Sequence, residues 1–148
     1  MVRSCHGQPI AAEAHWGTAI VVRILIADDH AIVRSGLRAI LETRSDFVVC
    51  AEARDGREAI DLTVQHKPDI AVIDFSLPIL DGIEATRQIR LKSPQTEVLV
   101  LTAHDDELLI SKALLAGARG FLLKMEANEQ IVEAVTRLAR QRPFITSN

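Results

Sequence analysis

The segment Arg23–Gly36, "RILIADDHAIVRSG", decides how the chain is read. An apolar run climbs through Ile24, Leu25 and Ile26, then stops on two adjacent carboxylates, Asp28 and Asp29. A short run rich in Ile and Leu without alternation is what a strand covered on both faces looks like in a parallel sheet. Beyond the acids the period changes: Val33, Leu37, Ile40 and Leu41 fall at i, i+4, i+7 and i+8, the apolar stripe of a helix. The unit is therefore strand, acidic turn, helix.

The rest of the chain repeats that unit. "VRILIAD", "FVVCAEA", "DIAVID", "EVLVLTA" and "RGFLLK" are the strand candidates, and amphipathic segments separate them, the last with its stripe at Ile131, Val135 and Leu138. Gly117 sits where a helix from Asp106 would end, and Pro68 and Pro94 stand ahead of the third and fourth strands. Five βα units imply an α/β fold: a parallel sheet with right-handed crossovers and helices on both faces. Residues 1–20 fall outside the pattern and read as an N-terminal extension in which Ile10 and Trp16 are candidates to dock on the domain or a neighbour. Residues 21–141 form the domain, and 142–148 read as a linker stub or C-terminal tail.

At 148 residues one domain is the expectation, and with only 3% aromatic residues its core must be built from Ile, Leu, Val and Ala. A net charge of −3 provides no positive field for a phosphate backbone or an anionic membrane, which disfavours nucleic-acid binding by this segment. Neither Cys5 nor Cys50 has neighbours at metal-ligand spacing, so both read as thiols in a reducing compartment. No apolar stretch approaches the roughly 20 residues of a membrane helix. Glu13, His15 and Gly17 interrupt the N-terminal segment where a secretory signal would be apolar. The cytoplasm is the expected location.

In open parallel sheets, sites form where the strands' carboxyl ends meet their loops. Asp28 and Asp29 end the first strand, Asp74 the third, Thr102 the fourth and Lys124 the fifth, so three carboxylates, a hydroxyl and an ammonium should share one rim. Clustered acids repel, and a hard divalent cation with oxygen ligands is the guest that relieves them. Mg²⁺ fits that description, and zinc does not, because Cys and His are absent from the pattern. His30 and His104 flank the rim, but neither has a His or Cys partner at ligand spacing, so no ligand role is assigned to them. Beside a cation, Asp74 can act as a nucleophile toward phosphorus to give an aspartyl phosphate, with Lys124 and Thr102 neutralising the transferred charge.

Taken together, "ILIADDH", "DIAVIDFSLPILDG", "LVLTAHDDE" and "AGARGFLLK" resemble a response-regulator receiver domain, most similar to the NarL/FixJ-like subfamily, over roughly Val22 to Arg140. The resemblance implies a flavodoxin-like (βα)5 three-layer sandwich with strand order 2-1-3-4-5. It makes Asp74 the phosphoacceptor, Asp28 and Asp29 the acidic Mg²⁺ pocket, and Ser76 a metal ligand through its backbone carbonyl. Thr102 becomes the switch hydroxyl, Lys124 the phosphate-pairing lysine, and Phe121 the switch aromatic that rotates from outside to inside. Three positions depart from the common pattern: Met125 follows Lys124 where proline is frequent, Ile79 stands where a small residue is frequent, and Phe121 replaces a tyrosine.

The implied function is that of a two-component receiver, accepting a phosphoryl group from a sensor histidine kinase or phosphotransfer protein. The implied output is transcription through a C-terminal helix-turn-helix domain, the route by which DNA would be contacted, with a second copy of the chain as an expected partner. A stand-alone adaptor or phosphate sink is the alternative. An aspartyl-phosphate hydrolase ranks lower, because Ser76 stands where such enzymes carry a second, proton-transferring Asp.

Overall fold

The computed structural model describes residues 20–146. Cys5, Ile10 and Trp16, with the expectations attached to them, lie outside the described residues. Strands and helices alternate as β1 (Val22–Ala27), α1 (Ala31–Leu41), β2 (Phe47–Ala53), α2 (Gly56–His66), β3 (Ile70–Asp74), α3 (Gly82–Lys92), β4 (Glu97–Thr102), α4 (Glu107–Leu115), β5 (Gly120–Leu123), α5 (Ala127–Ala139) and β6 (Phe144–Ile145), with a single 3₁₀ turn at Lys124–Glu126. All strand pairs are parallel, in the order β2-β1-β3-β4-β5-β6.

The expected order of five strands is present and is extended by a sixth. β6 lies in the segment expected to be a linker stub: Phe144 donates its N–H to the Arg119 carbonyl at 3.2 Å and buries its ring. Two residues behind Pro143 carry no readable periodicity. An aromatic ring that closes the end of the core nevertheless holds the strand in place.

Alternating strand residues build two cores. Ile24, Ile26, Val72, Leu99, Leu101 and Leu122 face α1 and α5, where Leu37, Leu41, Ile131 and Leu138 meet them. Leu25, Ile73, Val98, Val100 and Phe121 face the other layer, with Ile60, Ala85, Ile89 and Ala113 from α2, α3 and α4. Covering both faces explains why the strands read as continuous apolar runs. Helix starts follow local chemistry: the side chains of Asp55, Asp81 and Asp106 accept the N–H groups of Glu58, Glu84 and Leu108. Gly117 ends the α4 turn at φ 111°, as its position in the sequence predicts. Among the described residues no helix is long and apolar enough to cross a membrane, and Cys50, on β2, forms no disulfide.

The architecture delivers the ends of β1, β3, β4 and β5 to one edge of the sheet, since parallel strands point the same way. α3 closes on that edge tightly. A Cβ on Gly82 would lie 2.3 Å from the Asp74 carbonyl oxygen, so only glycine lets the helix begin this close to β3.

Candidate functional site

Asp28 is buried directly after β1, its backbone N–H held by the Ala53 carbonyl at 3.0 Å. Its Oδ1 accepts the His30 N–H at 2.8 Å, a turn that swings the His30 ring back over the acids. His30 Nδ1 then lies 3.2 Å from Asp28 Oδ1 and 3.2 Å from the more exposed Asp29 Oδ1. Asp74, only 2% exposed at the end of β3, accepts the Ser76 N–H at 3.4 Å.

Lys124 joins the two strands' acids. Its Nζ sits 3.1 Å from Asp28 Oδ2 and 3.3 Å from Asp74 Oδ2. Burial, then the negative charge of Asp28, pushes the Asp74 carboxyl above its usual range, against the pull of Lys124 and the Ser76 N–H. Burial pulls Lys124 down, but its contacts with Asp28 and Asp74 outweigh it and hold the ammonium above its ordinary value. The lysine is thus a fixed positive charge between two carboxylates that would otherwise repel.

The expected set is largely gathered. Asp28, Asp74 and Lys124 meet directly, and Asp29 joins through His30. Thr102 ends β4 buried beside them, with its hydroxyl accepting the His104 N–H at 3.2 Å within its own loop. Phe121 lies fully inside the α4-side core, the inward of the two positions between which its ring is expected to rotate. With no phenolic hydroxyl to solvate, the ring gains most by staying buried. Ile79 points to solvent, 80% exposed, at φ 72°. The Lys124–Met125 peptide is trans, since no described peptide bond is cis.

The donor set suits a hard cation. Asp28 Oδ2 is buried without a hydrogen bond and compensated only by the Lys124 charge, a carboxylate oxygen left available to an ion. Asp28, Asp29 and His30 each offer a ligand atom, all within 4.8 Å of one another. Asp74 instead faces Lys124. Sequence reading missed His30 because it sought His and Cys partners, whereas the partners are the carboxylates one and two residues earlier. It also missed Arg34, whose Nη1 donates to the Asp28 carbonyl at 2.7 Å while Nε donates to Glu52 at 3.0 Å, tying α1 to the pocket. The "DDHxxxR" spacing, one helical turn from His30, carries that signal.

The model of the response regulator receiver domain family matches residues 24–136, which span the whole of this site. The chain belongs to that family. Among relatives, the transcriptional regulatory protein DegU of Brevibacillus brevis is 37% identical over 124 residues, 84% of this chain and 52% of that protein. A LuxR-family two-component response regulator from Aurantimonas sp. SI85-9A1 superposes with a TM-score of 0.80 at 39% identity, covering 84% of this chain and 89% of the other. The signal receiver domain of a NarL response regulator from Mycobacterium tuberculosis superposes with a TM-score of 0.79 at 36% identity, covering 83% and 99%. This receiver spans about half the length of the curated relatives it matches, 52% for DegU. Receiver domains are signalling proteins that interact with histidine kinases and typically bind Mg²⁺ at acidic residues. The rim of this receiver carries an Asp-rich cluster, Asp28 and Asp29 with His30 beside them.

Proposed function

We propose that this receiver is a phosphorylation-controlled switch in which Asp74 accepts a phosphoryl group from the phosphohistidine of a sensor kinase or phosphotransfer protein. One observation carries the reading: Asp74 is buried at a strand end with a cation, Lys124, already bridging it to a second buried acid. In the transfer an Asp74 oxygen forms the new O–P bond as the donor's N–P bond breaks, and the departing imidazole keeps the electron pair and takes up a proton. Lys124 is placed to pair with the transferred oxygens once the Asp74 charge it now neutralises has moved onto phosphorus. The Thr102 hydroxyl, free to donate while it accepts from His104, is the second group for those oxygens.

Asp28, Asp29, Asp74 and the Ser76 carbonyl are the residues that would hold Mg²⁺, with His30 beside them. When bound, the ion supplies charge neutralisation for the acids and the incoming phosphoryl group. The receiver assists its own phosphorylation and dephosphorylation through these groups and is not a turnover enzyme. In the whole protein we assign the output to transcription through a helix-turn-helix domain following this segment, a reading supported by the likeness to DegU and to LuxR-family regulators. Intact-mass measurement with a small phosphodonor and Mg²⁺ tests the reading: one phosphoryl group should add to the parent and none to Asp74→Asn. Equal addition to both, or none to either, overturns it.

A further inference from the structure

His30 stands at the N-cap position of α1, yet its side chain makes no hydrogen bond to the helix it precedes. Ser, Thr, Asp and Asn are the residues that close such an end. The ring turns to the acids instead. Its Nδ1 lies 3.2 Å from Asp28 Oδ1 and 3.2 Å from Asp29 Oδ1, and that Asp28 oxygen is itself fixed by the His30 N–H at 2.8 Å. The ring is largely exposed while Asp28 is buried, so the set runs from the surface into the pocket.

These are the spacings that two ligands of a single ion keep. Metal–nitrogen and metal–oxygen bonds of about 2.0–2.2 Å put neighbouring donor atoms about 2.9 Å apart at a right angle and about 3.4 Å apart at a tetrahedral angle. One ligand atom each from Asp28, Asp29 and His30 lie within 4.8 Å of one another. Asp28 adds a second oxygen, Oδ2, buried and without a hydrogen bond. Carboxylate oxygens alone suit Mg²⁺, whereas an imidazole nitrogen among them favours borderline ions such as Zn²⁺, Co²⁺ and Ni²⁺. The nitrogen that His and Cys spacing did not reveal is supplied by the acids' own neighbour in the chain.

We infer that His30 is a metal ligand through Nδ1, so that the rim of this receiver is a mixed nitrogen and oxygen site that takes Zn²⁺ more tightly than Mg²⁺, an assignment that rests on the acidic metal pocket proposed above. The imidazole binds as the tautomer with its proton on Nε2, and the carboxylates bind as they stand. A His30 that served only as a counter-charge to the acids would behave in the opposite way. A counter-charge competes with every cation, so removing it tightens all of them, whereas removing a nitrogen ligand weakens the borderline ion alone.

Calorimetric titration of the full chain with Zn²⁺ and with Mg²⁺ compares the parent with His30→Asn and Asp29→Asn, while long-range proton–nitrogen spectra follow the histidine rings. Asn is itself a good N-cap, so the first variant keeps α1. The parent should bind Zn²⁺ more tightly than Mg²⁺, with the His30 Nδ1 resonance moving as Zn²⁺ is added. His30→Asn should bind Zn²⁺ about ten- to hundredfold more weakly, no less than the loss of a residue that merely orients a ligand, and Mg²⁺ as the parent does. Asp29→Asn should weaken both ions. Zn²⁺ bound no more tightly than Mg²⁺ by the parent, unchanged or tighter Zn²⁺ binding in His30→Asn, equal weakening of both ions in that variant, or a Zn²⁺-induced shift confined to other histidine rings each overturns the ligand role and leaves the Mg²⁺ pocket standing. Failure of the parent to bind Mg²⁺, with Asp29→Asn no different, overturns the pocket itself and the His30 assignment with it.

Discussion

Lys124 Nζ lies 3.1 Å from Asp28 Oδ2 and 3.3 Å from Asp74 Oδ2, so one ammonium holds together the acids at the ends of two neighbouring strands. Both carboxylates are almost wholly buried and Lys124 is about one quarter exposed, at 27%. Removing it leaves two like charges with no cation. Lys124→Ala should lose about 1–3 kcal/mol in urea unfolding, less than the 3–5 of a fully buried pair because solvent partly screens the lysine. An unchanged midpoint would contradict the bridge. The sign with pH is that of a raised lysine: the contribution is fully present below the ordinary value of 10.5 and is lost as pH rises through the higher folded value.

Asp74 runs the other way in its consequence. Its folded pKa lies above the ordinary 3.8, so the native state prefers the protonated acid, and stability is lost as pH rises from the unfolded value through the folded one. At neutral pH the unfolded chain gains more than the native state from ionising this acid, so Asp74 is a cost and Asp74→Asn should raise the melting temperature there. Below the ordinary carboxylate range both forms are neutral and the two melting curves should converge. A difference that persists or grows in acid contradicts the assigned origin.

Ile79 bears a backbone cost at the same rim. Leu80 N–H donates to the Pro78 carbonyl at 2.7 Å across a three-residue turn, with Ile79 at its centre at φ 72°. A β-branched residue at positive φ is an outlier costing about 1–3 kcal/mol, and glycine adopts that region freely. Ile79→Gly relieves the strain but gains unfolded-chain entropy worth about 0.4–1 kcal/mol, leaving a net stabilisation of about 0.5–2 kcal/mol by chemical unfolding. A destabilised variant would show that the side chain, despite its exposure, packs against the loop.

Two arginines on α1 share Glu52, yet they should differ. Burial pushes the Glu52 carboxyl up, but Arg38 and Arg34 outweigh it and hold it below the usual range. Arg34 is the more buried and also carries the Asp28 carbonyl, whereas Arg38 is about half exposed. Arg34→Ala should cost about 1.5–3 kcal/mol, as a lost charged hydrogen bond to buried backbone does, and Arg38→Ala about 0–1. Equal losses would remove Arg34 from its role in holding the Asp28 backbone.

What the sequence made legible follows from strand polarity. Asp28, Asp74, Thr102 and Lys124 each close an apolar run, and parallel strands bring such residues to one edge whatever the helices do. The two-sided burial of the sheet made each run unmistakable, so β1 to β5 are where the pattern puts them. β6 was not readable, because Phe144 and Ile145 are too few to show a period and their placement depends on a tertiary hole beside Leu138 and Gly120. The His30 contact depends on a local turn at Asp28, and the Arg34 contact on the helix that follows, neither of which residue type alone reveals. The inward Phe121 is a packing outcome: its register on β5 fixes which face it joins, but whether the ring turns in depends on the space that α4 leaves.

The most direct test of the central claim is chemical mapping of the modified residue. The receiver is phosphorylated with a small phosphodonor and Mg²⁺, reduced with borohydride, which converts an aspartyl phosphate to homoserine, and sequenced by peptide mass spectrometry. Homoserine at position 74 alone is the predicted result; homoserine at Asp28 or Asp29, or at no aspartate, contradicts it.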